Sequence, residues 1–125
     1  MQIKQGNQLN GMQISNKKFK LPASQIKDLI PPMGGCMATD KITVDGLPVK
    51  FMYRKKPDYE HDSEWIFLSG TETQAYLDDH TNTMIYEVNT IANYNNAIIP
   101  YLNLPIGTDL ERMDGTDTFS DYIDG

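Results

Sequence analysis

"CMATDKITVDGLPVKFMYRK", residues 36–55, decides the fold. Two β-rich runs, CMATDKITV and LPVKFMYRK, flank Asp45-Gly46, and an Asp-Gly pair between such runs signals a hairpin because both turn positions need or tolerate positive φ. The expectation is strand, tight turn, strand. In the second run Val49, Phe51 and Tyr53 alternate with Lys50, Met52 and Arg54, so one face is expected to be core and the other wet. Pro48 fits only near the strand start or on an edge.

Downstream, Trp65-Ile66-Phe67-Leu68 is a continuous apolar run closed by Ser69-Gly70, which predicts a central strand covered on both faces. Thr71 is expected to cap a short helix through Tyr76-Leu77, ended by Asp78-Asp79. MIYEVNTIANY (84–94) mixes β-branched residues with helical spacing at Ile85, Val88, Ile91 and Ala92, and reads as helix. AIIPYL (97–102) reads as a helical turn or connector broken by Pro100, and Asp109–Arg112 as a short strand. Phe119, Tyr122 and Ile123 are placed to tether the acidic tail.

Upstream, Ser24 opens a helix candidate, SQIKDLI, whose Ile26, Leu29 and Ile30 share a face and which Pro31-Pro32 stops. Residues 1–16, rich in Gln, Asn and Gly, read as a loose arm or a weak edge hairpin around Asn10-Gly11. The whole predicts one α+β domain over 17–125, a central antiparallel sheet with short helices packed against it.

With 125 residues, 39% hydrophobic and 10% aromatic, the chain can bury one core. No run approaches the roughly 18 apolar residues of a membrane span, and the first twenty residues lack the apolar core of a secretory signal, so the expected compartment is the cytoplasm, with no membrane partner. Cys36 is the single cysteine; within GGCMA it reads as a small buried side chain. The net charge of −6 is unevenly distributed. Up to Lys56 ten Lys/Arg face three acids, and from Pro57 onward fourteen acids face one Arg. Either the halves neutralise each other in one sheet, or the acidic half attracts a basic partner. An acidic chain disfavours nucleic acid.

Chemistry-bearing patterns are weak. Asp58, Glu60, His61 and Asp62 offer metal-ligand types, but their spacing matches neither an EF-hand loop nor a His-Glu-x-x-His helix, and His80 is the only other histidine. Ser63 and Ser69 lack a nucleophile elbow, and Gly34-Gly35 does not lead into a phosphate-binding helix. No catalytic, metal or cofactor residue is assigned. The alternatives kept are a small hydrolase or metal-binding protein using His61 and Asp62, and a homodimeric regulator pairing through an edge strand. Trp65 is expected as a core anchor whose indole N–H bonds Asp62 or Ser63; Arg54 is either a clamp on a nearby carboxylate or an interface anchor.

The stretch "ITVDGLPVKFMYRKKPDYEHDSEWIFLSGTETQAYL" resembles a bacterial family of small immunity-protein-like domains. Its pattern is Met-Tyr-Arg-x-x-Pro, then Asp-Ser-Gly-Trp, an aromatic strand, Ser-Gly and a short acidic helix with Tyr. Here these are Met52-Tyr53-Arg54 with Pro57, Asp62-Ser63 and Trp65, Phe67, Ser69-Gly70, then Glu72 and Tyr76; Asn89, Asn95 and Glu111-Arg112 extend the likeness. The resemblance implies a non-enzymatic antidote that binds and neutralises a cognate toxin, with a basic toxin domain as the expected protein partner and the oligomeric state left open. Asp58, Glu60, Asp62, Glu64, Asp78 and Asp79 are the expected partner contacts; Tyr53, Arg54, Asp62, Ser63, Trp65, Ser69 and Gly70 are the structural signature. The family pattern has glycine where Glu64 stands. If that glycine needs positive φ, glutamate strains the turn; if it clears space for a partner, a negative side chain fills it.

Overall fold

A computed structural model describes residues 17–56 and 62–122. The expectations for residues 1–16, for Asp58, Glu60 and His61, and for Ile123 lie outside the described residues. Six strands form one mixed sheet: β1 (Gly35–Thr39), β2 (Phe51–Arg54), β3 (Asp62–Leu68), β4 (Thr83–Glu87), β5 (Asp109–Arg112) and β6 (Phe119–Asp121), in the spatial order β4-β1-β3-β2-β5-β6. The helices are short: α1 (Asp40–Thr43), α2 (Gln74–Asp78) and α3 (Val88–Tyr94), with a 3-10 segment at Asn96–Tyr101. The α+β class is the one expected. The ladders are antiparallel except β1 with β3, which run parallel.

The expected hairpin at Asp45-Gly46 is not formed. β1 ends at Thr39 and the chain coils at once into α1, which sends Ile42 into the core. Gly46, at φ +79°, ends that helix: its N–H donates to the Ile42 carbonyl and the Leu47 N–H to that of Lys41. A positive-φ glycine serves a helix end as well as a hairpin, so the same dipeptide supports both readings. β1 pairs instead with β3 and β4.

In β2 the core face is that of Met52. Met52 is fully buried, while Phe51 and Tyr53 are half-buried on the other face. Val49 is buried, but ahead of the strand, where the Asn95 carboxamide accepts its N–H and Arg112 donates to its carbonyl. β3 is central, yet only Ser63, Trp65 and Phe67 are buried; Ile66 and Leu68 are half-buried, so one face is fully covered. Cys36, Ala38, Met52, Trp65, Phe67 and Leu110 of the sheet share one core with Ile42, Val88, Ile91, Ala92, Ile98 and Leu102. Cys36 is a free, buried thiol, and burial, reinforced by the Asp62 charge, pushes its pKa up.

SQIKDLI contributes only a 3-10 turn at Ala23–Gln25. The rest is held extended by asparagines of α3. Asn89 accepts from the Leu29 and Ile30 amides and donates to the Lys27 carbonyl; Asn93 accepts from the Lys27 amide and donates to the same carbonyl. These side chains replace the bonds a helix would supply. Asn89→Ala is expected to cost about 1–2 kcal/mol, since two backbone N–H groups lose their acceptor, and hydrogen exchange should quicken at Leu29 and Ile30 first. The stretch read as one helix at 84–94 is β4 followed by α3, the change falling at Glu87-Val88. Pro100 lies inside the 3-10 segment, and the strand expected at Asp109–Arg112 is β5. Phe119 is buried and Tyr122 packs edge-on against Phe51, so the described part of the tail is tethered.

Candidate functional site

The signature residues converge where β2 meets β3. Between Gly35↔Asp62 and Met37↔Ile66 the register shifts, so two steps of β1 face four of β3: a bulge spanning Ser63–Trp65. A bulge leaves backbone donors outside the ladder, and the side chains just before them take these up. The Asp62 carboxylate accepts the Glu64 N–H at 2.7 Å, and the Ser63 hydroxyl accepts the Trp65 N–H at 3.3 Å. This gives Asp62-Ser63 its local role. Glu64 has φ +78°, a left-handed conformation that disfavours residues with a Cβ. The glycine of the family pattern therefore meets a conformational need, and Glu64 carries the strain.

Arg54 compensates. Its Nε donates to Glu64 Oε1 at 3.0 Å and to the Ser63 carbonyl at 3.2 Å, and its Nη1 donates to the Leu104 carbonyl at 2.7 Å and the Leu102 carbonyl at 3.3 Å. The Arg54 and Glu64 side chains are only 20% and 15% exposed, which makes their ion pair largely internal. Trp65 is fully buried under this guanidinium, whose Cζ lies 5.7 Å from the ring centroid, and it stacks on Phe67. Its indole N–H donates to the Leu102 carbonyl at 3.1 Å, not to Asp62 or Ser63. Sequence reasoning missed Leu102 and Leu104, because a backbone carbonyl carries no residue-type signal.

Ser69 and Gly70 form a second internal knot. Gly70 has φ +89°. The Glu72 carboxylate accepts the Ser69 and Gly70 amides and the Thr39 hydroxyl, the last at 2.5 Å, tying the end of β3 to β1. Burial works to raise the Glu72 pKa, but these hydrogen bonds outweigh it and the net shift is down. A carboxyl lowered in the folded state stabilises above its unfolded pKa, near the ordinary 4.5, and loses that contribution as pH falls through the lower folded value. Glu72→Gln is therefore expected to flatten the dependence of stability on pH below about 4.5, measured by urea unfolding at a series of pH values. The helix cap here is Thr73, whose hydroxyl accepts the Tyr76 N–H; Thr71 bonds Ser69 instead.

Of the expected partner contacts, Asp78 and Asp79 are exposed, with Asp79 accepting from Thr81. They lie on a different segment from the Arg54 hub, and Asp62 and Glu64 are engaged within it. Asn95 and Arg112 form a further clamp, with Arg112 Nη2 donating to Asn95 Oδ1 at 2.7 Å. Among the described residues, no three His, Cys, Asp or Glu side chains group as metal ligands, and no helix is long and apolar enough to cross a membrane.

The signature side chains of this small α+β domain hold its own frame, and comparison with known families says what the domain is similar to. The model of the family described as "Immunity protein Imm33 domain" matches residues 36–122. The chain belongs to this immunity protein family. No curated protein and no solved structure gives a significant match.

Proposed function

We propose that the chain is a cytoplasmic, non-enzymatic antidote that binds a protein toxin stoichiometrically and blocks it. The observation that carries this reading is the match to an immunity protein domain across residues 36–122. Charge supports it. Fourteen acids against one arginine after residue 56 favour association with a basic protein, whose encounter rate such a field raises.

The test is co-expression with a toxin domain that its genome encodes in the adjoining reading frame. Restored growth and a 1:1 complex on gel filtration are expected; a toxin that stays active and elutes alone refutes the reading. Within a complex, Asp58→Lys, Glu60→Lys and Asp78→Lys together are expected to slow association at low salt by about tenfold, an effect that shrinks as ionic strength rises. Glu64 is left out of this set because its carboxylate holds Arg54.

A further inference from the structure

The sheet has two unlike faces. One carries Trp65, Phe67, Met52 and Leu110 into the core. Along the other, direct register aligns Ile85, Met37, Ile66 and Tyr53 across β4, β1, β3 and β2, with Leu68 and Phe51 paired beside them. None of these six is among the hydrophobics packed on the core cluster; Ile85 is 59% exposed and the other five are half-buried. Tyr122, 39% exposed, extends the apolar band against Phe51.

The rim of this band is acidic. Asp109 and Glu111 of β5 lie opposite Tyr53 and Phe51, and exposed Glu87 closes β4. Lys50 is held by Glu111 and Asp114, at 3.3 and 2.6 Å, and the Lys55 charge reaches Tyr53, so these groups together keep a negative excess. Six strands at about 4.8 Å spacing span about 24 Å, comparable to the side of the roughly 800 Å² that one partner contributes to an ordinary interface. An apolar, tyrosine-bearing centre within a charged rim is the anatomy of a protein-binding surface. The signature residues Arg54, Trp65, Asn95 and Arg112 are engaged internally, which leaves recognition to other positions.

We infer that this second sheet face, centred on Met37, Tyr53, Ile66 and Ile85, docks a basic protein surface with an apolar centre, namely the toxin of the reading above, on which this inference rests. A photo-crosslinking residue placed at 85, 122 or 29 in the full chain, co-expressed with the neighbouring toxin domain, tests it. Leu29 is the control: it is exposed and bonded to α3, which packs on the opposite face. Crosslinks to the toxin from 85 and 122 but not from 29 are expected, and Ile85→Glu should cut the yield from 122 by about tenfold. Crosslinks to a second copy of this chain, or to its own residues 1–16, overturn the inference. If the 1:1 complex forms but crosslinks only through 29, the sheet face is refuted while the antidote reading stands. If no complex forms, both fall.

Discussion

Arg54→Ala is expected to lower the free energy of unfolding by about 3 kcal/mol, the size typical of breaking a buried ion pair from one side. The loss has three parts. The Glu64 carboxylate, 15% exposed, is left without its cation; the Leu102 and Leu104 carbonyls lose a charged donor; and the Trp65 ring loses its cover. Lysine does not restore it, because one ammonium cannot reach Glu64, Ser63, Leu102 and Leu104 in the geometry of a guanidinium fork. Glu64 separates the parts. Glu64→Gly is expected to be more stable than Glu64→Ala by about 1 kcal/mol, since both lack the carboxylate and only alanine retains the left-handed strain. In the Arg54→Ala background, Glu64→Gly should raise stability, because it removes both an unpaired internal charge and the strain. Urea midpoints of these variants against the unmutated chain check this, and a loss below about 1 kcal/mol for Arg54→Ala would place the pair among ordinary surface salt bridges.

The legibility of this chain in its sequence depended on whether a signal was local. β5 was readable, and so was the strand from Trp65, whose continuous apolar run is a local signal; that only one of its faces is fully covered was not. Asp45-Gly46 marked a chain reversal correctly but not its kind, since a glycine at positive φ serves a helix end and a hairpin alike. SQIKDLI has the spacing of a helix; Asn89 and Asn93, some sixty residues away, bind its backbone in an extended form. β2 was readable as a two-faced strand, but not which face is core, and of the two readings of Arg54 the clamp on a nearby carboxylate is the one formed, on Glu64 and two carbonyls. The Arg54 hub shows the same limit. Its arginine, aspartate, serine and tryptophan were visible as a pattern, and positive φ at Glu64 was one of the two readings of the family glycine, the one the backbone adopts. The Leu102 and Leu104 carbonyls that complete the hub were not visible, because backbone acceptors are supplied by tertiary position alone.

Trp65→Ala should have the largest effect, about 4 kcal/mol, as expected for deleting a fully buried aromatic, and a large share of the 5–15 kcal/mol by which domains are usually stable. Trp65 is 0% exposed, stacks on Phe67 with ring centroids 6.1 Å apart and lies beneath Arg54. Its removal opens a cavity at the centre of the sheet, where β3 is flanked by β1 and β2 and the backbone is pinned by both ladders, so collapse is restricted. Trp65→Phe keeps most of the apolar volume and loses the indole donor. The Leu102 carbonyl is not then orphaned, since Arg54 Nη1 still donates to it at 3.3 Å, and the expected loss is about 1 kcal/mol for the missing bond. The gap between the two variants measures packing against hydrogen bonding at one position. Because the chain has a single tryptophan, circular dichroism must report unfolding in both. Equal losses for alanine and phenylalanine would assign the role of Trp65 to the Leu102 bond, and a loss under about 2 kcal/mol for alanine would mean that the core closes over the gap.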